Sequence, residues 1–239
     1  MRKEDHFGRQ MGMFGRLLRD IRQARGIAPE ELARGICTVK ALEKYESGER
    51  EPEKLTADAL FTRLRKSMDK FEIILGYPEY NMAVCRMQIQ RLLRVGKLLE
   101  AEEGIDRYVG MDGALHLHYQ YACFLRAELL RKRQVPMAEQ IANVVDGIYQ
   151  TLETRNKKGI RKVTAEEKTG RGLQPKCLSE RYFSKMELYL LERYAILLEA
   201  DGRQAEAVLW YRAIIQYLDD EEYDLADRYS LYPVMAYQL

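Results

Sequence analysis

The chain has 239 residues, 46% of them hydrophobic and 32% charged, with a formal net charge of +2 at pH 7. That length holds one large domain or a small one joined to a medium one, and the composition is that of a globular chain rather than a disordered one. A balance so near neutral makes no case for nucleic-acid binding by bulk charge; no apolar run reaches the roughly 18 residues of a membrane span, and no apolar leader opens the chain, so a cytoplasmic protein without membrane contact is expected. The cysteines (Cys37, Cys85, Cys123 and Cys177) form no CxxC pair, which fits a reducing compartment and neither a disulfide framework nor a zinc site. Few prolines and abundant Leu, Ala, Glu, Arg and Lys favour an all-α chain.

The first predicted helix runs from about Phe14 to Arg25, where Phe14, Leu17, Leu18 and Ile21 make one apolar stripe. Gly26 is expected to end it in a left-handed conformation. Pro29 suits the first turn of a short second helix, and Glu30 and Glu31 favour the positive end of its dipole. Leu32, Ala33 and Ile36 are expected to face the core. Thr38 can cap a third helix in which Leu42 and Tyr45 point inward. That leaves Val39, Lys40, Glu43 and Lys44 on the outer side, with Gly48 and Pro52 closing the element. Helices over about Thr56–Lys66 and Asp69–Leu75 would complete a five-helix domain, with Leu60, Leu64 and Phe71 in its core.

The stretch ARGIAPEELARGICTVKALEKYESGEREP, with Glu46-Ser47-Gly48 ending the third helix, resembles the helix-turn-helix family of the phage Cro and lambda repressors, the xenobiotic-response-element family. The resemblance covers about residues 13–75 and implies a reader of duplex DNA whose third helix lies in the major groove. It implies base-facing positions at Thr38, Val39, Lys40, Glu43 and Lys44, and a structural ion pair between Arg22 and Glu46. Two departures stand out. Pro29 replaces a glutamine that often holds a phosphate, and Val39 replaces one that often reads a base. Val39 can still touch a thymine methyl, Lys40 or Lys44 can reach guanine, and Glu43 can accept from cytosine. Arg16, Arg19, Arg25 and Arg50 are the candidate phosphate contacts. The solvated face of an ordinary helical domain is the competing reading of Lys40, Glu43 and Lys44.

Gly76-Tyr77-Pro78 marks a boundary, giving predicted domains over 1–75 and 76–239. Beyond it, helices over Glu79–Val95 and Leu98–Val109, Ala114–Arg133 and Met137–Leu152, and Leu178–Ala200 and Gln204–Leu218 pair around short turns. Gly96 is followed five residues on by Ala101 and Gly202 by Ala207, with Arg133 and Ala138 in the middle pair, at spacings close to multiples of 34 residues. LLRVGKLLEAEEGIDRY and LLEADGRQAEAVLWYRAI resemble divergent tetratricopeptide repeats, which implies an α-solenoid; a non-repetitive helical bundle is the rival. The Lys- and Arg-rich stretch from about Glu153 to Lys176 reads as an exposed insertion, solvated or touching phosphates or an acidic partner. Leu225–Leu239 reads as the first helix of a further pair, so the array is expected to be incomplete at residue 239.

No GxGxxG, GxxxxGK[ST], HExxH or GxSxG motif is present. His116 and His118 lie two apart on one helix and point apart, so no shared metal is expected. The sequence thus argues against an enzyme, a cofactor or a metal site. A helix-turn-helix followed by such repeats resembles the Rgg-type and PlcR-type peptide-sensing transcription regulators. That resemblance implies a homodimer whose concave repeat face binds a short signalling peptide, though Asn residues that could hold a peptide backbone are few (Asn81, Asn143, Asn156). The alternative is a protein-interaction scaffold whose helix-turn-helix is a docking module.

Overall fold

A computed structural model of the chain describes residues 4–68, 76–153 and 159–219, with side chains from residue 13 onward. Among the described residues every regular element is helical, so the all-α expectation holds. The expected helix over Asp69–Leu75, the core place of Phe71 and the segment Leu225–Leu239 lie outside the described residues.

Helix α1 spans Glu4–Ala24, starting ten residues before the predicted Phe14. Its opening stretch carries no proline, and each glycine there costs only about 1 kcal/mol of helix propensity. Gly26, at φ 62°, turns the chain out of it. Helix α2 (Pro29–Ala33) and helix α3 (Val39–Glu46) follow at the predicted turn, and α4 covers Lys54–Arg63. Leu18, Leu32, Leu42, Leu60, Phe61 and Leu64 are fully buried among these four helices. Each such side chain contributes about 1.5–3 kcal/mol of burial. Phe14 leans on Phe61 with ring centroids 5.1 Å apart. One member of this core comes from far away, Leu117 of helix α7 (His116–Lys132).

Three antiparallel pairs build the rest: α5 (Tyr77–Arg94) with α6 (Leu98–Val109), α7 with α8 (Met137–Tyr149), and α10 (Lys185–Ala200) with α11 (Gln204–Leu218). Packing of α6 on α7 and of α8 on α10 stacks them into a solenoid. The fourth residue of each second helix shows the repeat logic. Ala101 of α6 and Ala207 of α11 are buried there, and Gln140 takes the place in α8. The middle pair therefore departs from the sequence reading. Its left-handed turn residue is Gln134 (φ 53°), one place after Arg133, and Ala138 is exposed. The turn through Val135-Pro136 is one residue longer than its counterparts, which shifts the register.

Two further expectations change. The predicted helix from Leu178 breaks: a short α9 (Cys177–Glu180) stops before a new start at Lys185, where Ser184 and Glu187 form a reciprocal cap. The basic insertion is not a loose loop over its described part, 159–176. Gln150 bonds both ways with the Arg161 backbone, the Arg161 guanidinium lies 4.7 Å from the Tyr149 ring centroid, Tyr194 donates to the Gly170 carbonyl, and Leu173 is buried. Lys162, Arg171 and Lys176 remain exposed, and Lys168 faces Asp146 at 3.6 Å. Lys157 and Lys158 lie outside the described residues.

Candidate nucleic-acid interface

Helix α3 is positioned by its own caps and by α1. The Thr38 hydroxyl accepts from the Ala41 N–H at 3.2 Å, satisfying one of the open donors of the first turn. Ser47 ends the helix and Gly48, at φ 76°, redirects the chain. Helix α1 crosses so close to the end of α3 that a Cβ at Gly15 would collide with the Tyr45 carbonyl oxygen. At that crossing Arg22 donates through Nε to Glu46 Oε1 (2.6 Å) and through Nη2 to Oε2 (2.8 Å), and through Nη1 to the Ile27 carbonyl (3.1 Å). The Glu46 hydrogen bond and charge hold the Arg22 guanidinium above its ordinary range, against the desolvation that opposes them.

With Leu42, Tyr45 and Glu46 buried, the opposite side of α3 presents Thr38, Lys40 and Glu43 to solvent. Two of the other predicted base-facing residues sit differently. Val39 is half-buried against the core formed by Leu18 and its neighbours, so it offers an edge rather than a whole side chain. Lys44 is held 2.5 Å from Glu49 Oε1, in an exposed pair worth about 0–1 kcal/mol that a phosphate or base can outcompete. Among the predicted phosphate contacts, Arg16 and Arg50 are exposed, Arg50 lying over the Tyr45 ring at 5.8 Å. Arg19 stands 4.0 Å from Asp20, and Arg25 is half-buried. Glu43 and Glu49 put negative charge on the same surface, so this face is mixed in sign.

The rear of the N-terminal helices is docked on the solenoid, through residues the sequence reading did not single out. Arg63, fully buried on α4, donates to Glu187 of α10 through Nη2 (2.7 Å) and Nε (3.2 Å), and to the Leu32 and Arg34 carbonyls. Burial alone would raise the Glu187 carboxyl; the Arg63 charge and hydrogen bonds outweigh it and hold the group below its ordinary value. Arg34 donates to the carbonyls of Thr151 (3.2 Å), Leu152 (2.8 Å) and Tyr182 (2.8 Å). Desolvation, with Arg63 nearby, lowers its pKa. Gly35 (φ 66°) lets the turn between α2 and α3 lie flat on this seam, because a Cβ there would strike the Thr151 backbone. The two histidines of α7 join the seam as well. His116 Nε2 lies 3.1 Å from the Ile36 carbonyl oxygen, while His118 bridges the Tyr108 hydroxyl (2.8 Å) and Glu53 (3.7 Å).

One sequence signal pointed to this seam. In Ala59-Leu60-Phe61-Thr62-Arg63-Leu64, Arg63 falls three residues after Leu60 and beside Leu64, a charge on an apolar stripe, and such a charge needs a buried partner. Elsewhere the polar groups are structural. Asn143 donates to the Cys123 carbonyl, and burial pushes the Cys123 thiol up to about 12, which makes it inert. Among the described residues no cluster of His, Cys, Asp and Glu could hold a metal ion, and no helix is long and apolar enough to cross a membrane.

Residues 18–71 match a protein-family model described as helix-turn-helix. No curated protein sequence matches the chain. Among solved structures the chain is similar to Bacillus thuringiensis PlcR in complex with the peptide PapR7 and DNA, at 13% identity and a TM-score of 0.31, over 95% of this chain and 94% of that one. At that score the likeness supplies no residue correspondence.

Proposed function

We propose, from the premise that residues 18–71 are a helix-turn-helix domain of the DNA-binding type, that the protein is a sequence-specific transcription regulator. In this reading residues 1–75 are the reader. Residues 76–239 are a helical-repeat sensor and dimerisation unit that answers to a short peptide. The observation that carries the reading is the two-sidedness of α3. Its inner residues Leu42, Tyr45 and Glu46 are buried, while Thr38, Lys40 and Glu43 stay open to solvent even though the opposite side of the domain is docked on the solenoid.

In this role α3 enters the major groove. Lys40 donates to guanine O6 or N7, Glu43 accepts from cytosine N4, Thr38 and the exposed edge of Val39 meet a base edge or a thymine methyl, and Lys44 leaves Glu49 for a base or a phosphate. Arg16, Arg19, Arg25 and Arg50 flank that helix as phosphate contacts, setting register rather than sequence. No step in this reading calls on a cofactor or a catalytic group.

Selection of bound fragments from random duplex DNA, followed by gel-shift titration of the winners, tests the proposal. A reader enriches a defined sequence and loses affinity linearly in log K against log salt. A docking module enriches no sequence, and that result would overturn the proposal.

A further inference from the structure

Helix α5 opens the solenoid and packs inward with one face. On that face Met82, Ile89 and Leu93 are buried in a core shared with α6 and α7. The opposite face carries a stripe at helical spacing: Tyr77, Tyr80, Val84, Met87, Arg91 and Arg94. Tyr77, Tyr80 and Met87 are 78%, 55% and 59% exposed, and Val84 is half-buried. Arg91 and Arg94 are exposed and form no ion pair among the described residues. Apolar side chains scattered singly on a surface are ordinary; a contiguous stripe over about five turns marks a contact surface.

The stripe is ordered by chemistry along the helix. Its first part is aromatic (Tyr77, Tyr80), its middle apolar (Val84, Met87) and its end cationic (Arg91, Arg94). A guanidinium is attracted to the face of a tyrosine ring, so the two ends are complementary to each other. Within one helix they stay apart, since Tyr80 and Arg91 are separated by about 16 Å of rise. Between two copies lying antiparallel they meet. A two-fold axis crossing α5 between Cys85 and Arg86 sets Val84 opposite Met87, Tyr80 opposite Arg91 and Tyr77 opposite Arg94 of the second copy. One axis thus finds a partner for every position of the stripe, and each contact is made twice. Antiparallel pairing also opposes the two helix dipoles, whereas parallel pairing would set Arg91 against Arg91.

We infer that the outer face of α5 is a docking surface for a second copy of this chain, the two helices antiparallel about that axis. Val84 and Met87 form the apolar centre, and tyrosine–arginine pairs flank it on both sides. The inference rests on the dimerisation role proposed above and names the surface that performs it. The backbone N–H of Lys54, at the start of α4, donates to Glu79 Oε1 of α5 at 2.6 Å, so the paired helices carry their readers with them.

Sedimentation equilibrium of the full chain over a range of concentrations, without DNA, decides it. The parent is a reversible dimer. Met87→Glu brings two carboxylates to the apolar centre and raises the dimer Kd by about tenfold or more. Tyr80→Arg sets a cation against Arg91 of the second copy and weakens the dimer by about tenfold. Adding Arg91→Tyr to that variant restores the parent Kd, because ring and cation have exchanged sides across the axis. Only antiparallel pairing in this register gives that rescue. If Met87→Glu fails to melt cooperatively, the exchange of Tyr80 and Arg91 decides alone. A dimer that Met87→Glu leaves intact, or an exchange that restores nothing, overturns the α5 surface and leaves the dimerisation role standing. A parent that is monomeric at every concentration overturns both. DNA reading is judged separately by the gel shift, so its failure leaves this result in place.

Discussion

Two ion pairs hold the N-terminal helices, one at the front and one at the rear. At the front, Arg22 and Glu46 pair at the crossing of α1 and α3, with side chains 11% and 8% exposed. At the rear, Arg63 and Glu187 pair between α4 and α10, at 0% and 3%. The front pair is local, closing a helical unit of a few dozen residues. The rear pair joins positions 124 residues apart and carries further obligations, since Arg63 also caps the Leu32 and Arg34 carbonyls and Glu187 caps its own helix. Glu187 thus serves the internal order of α10 and the docking of the reader with one carboxylate, and its loss should be felt in both.

The sharpest way to break the comparison is Glu187→Ala. It strands a fully buried guanidinium and is expected to cost about 3–5 kcal/mol. A urea denaturation curve with an unchanged midpoint would refute it. Because the native carboxyl is held below its ordinary value, its contribution is present above the ordinary carboxylate range and is lost as pH falls through the native pKa. The parent should therefore lose this increment on acidification and the variant should not. Glu46→Ala comes next, at about 1–3 kcal/mol, because Arg22 is partly solvated and keeps the Ile27 carbonyl. If it matched Glu187→Ala, the front pair would be as deeply committed as the rear one.

Lys40→Ala with Lys44→Ala tests the face that neither pair touches. Operator affinity is expected to fall about tenfold or more, the size of one good base contact, with Tm unchanged. Most of that belongs to Lys40, since Lys44 already has Glu49. Equal affinity of variant and parent in a gel shift would count against α3 as the reader.

The smallest effect lies away from both seams. Burial pushes the Glu192 carboxyl up to about 7 against the opposing pull of Arg193. A raised carboxyl makes the native state bind the extra proton, so stability falls as pH rises from about 4.5 to 7. Glu192→Gln should recover about 1 kcal/mol at pH 8 and nothing at pH 4, after discounting for solvent screening. Thermal melts at the two pH values check it.

Much of the front was legible because its signals are local. Thr38 before Val39, Leu42 and Tyr45 three apart, and Gly48 after Ser47 each act within one helical turn. The solenoid was legible as three helix pairs, since a turn marked by Gly96, Pro136 or Gly202 between apolar runs is also local. What escaped depends on distant partners. The roles of Arg34 and Arg63 escaped because their acceptors Thr151, Tyr182 and Glu187 are more than a hundred residues away. Arg161 and Leu173 belonged to a stretch whose composition suggested solvent, yet Tyr149 and Tyr194 give that stretch a surface to lie on. Gln134 escaped for another reason: a left-handed glutamine carries no compositional mark.

The seam at Gly35, Arg34 and Arg63 has a mechanical consequence. Among the described residues the seam ties the α2–α3 turn and α4 directly to the solenoid, so in the proposed paired assembly the solenoids would act as the fixed arms of a calliper. The gap between two half-sites is then dictated by protein geometry, and inserting a single base pair, which advances the duplex by about 3.4 Å and rotates one half-site away, should be punished far more than a substitution at an uncontacted position.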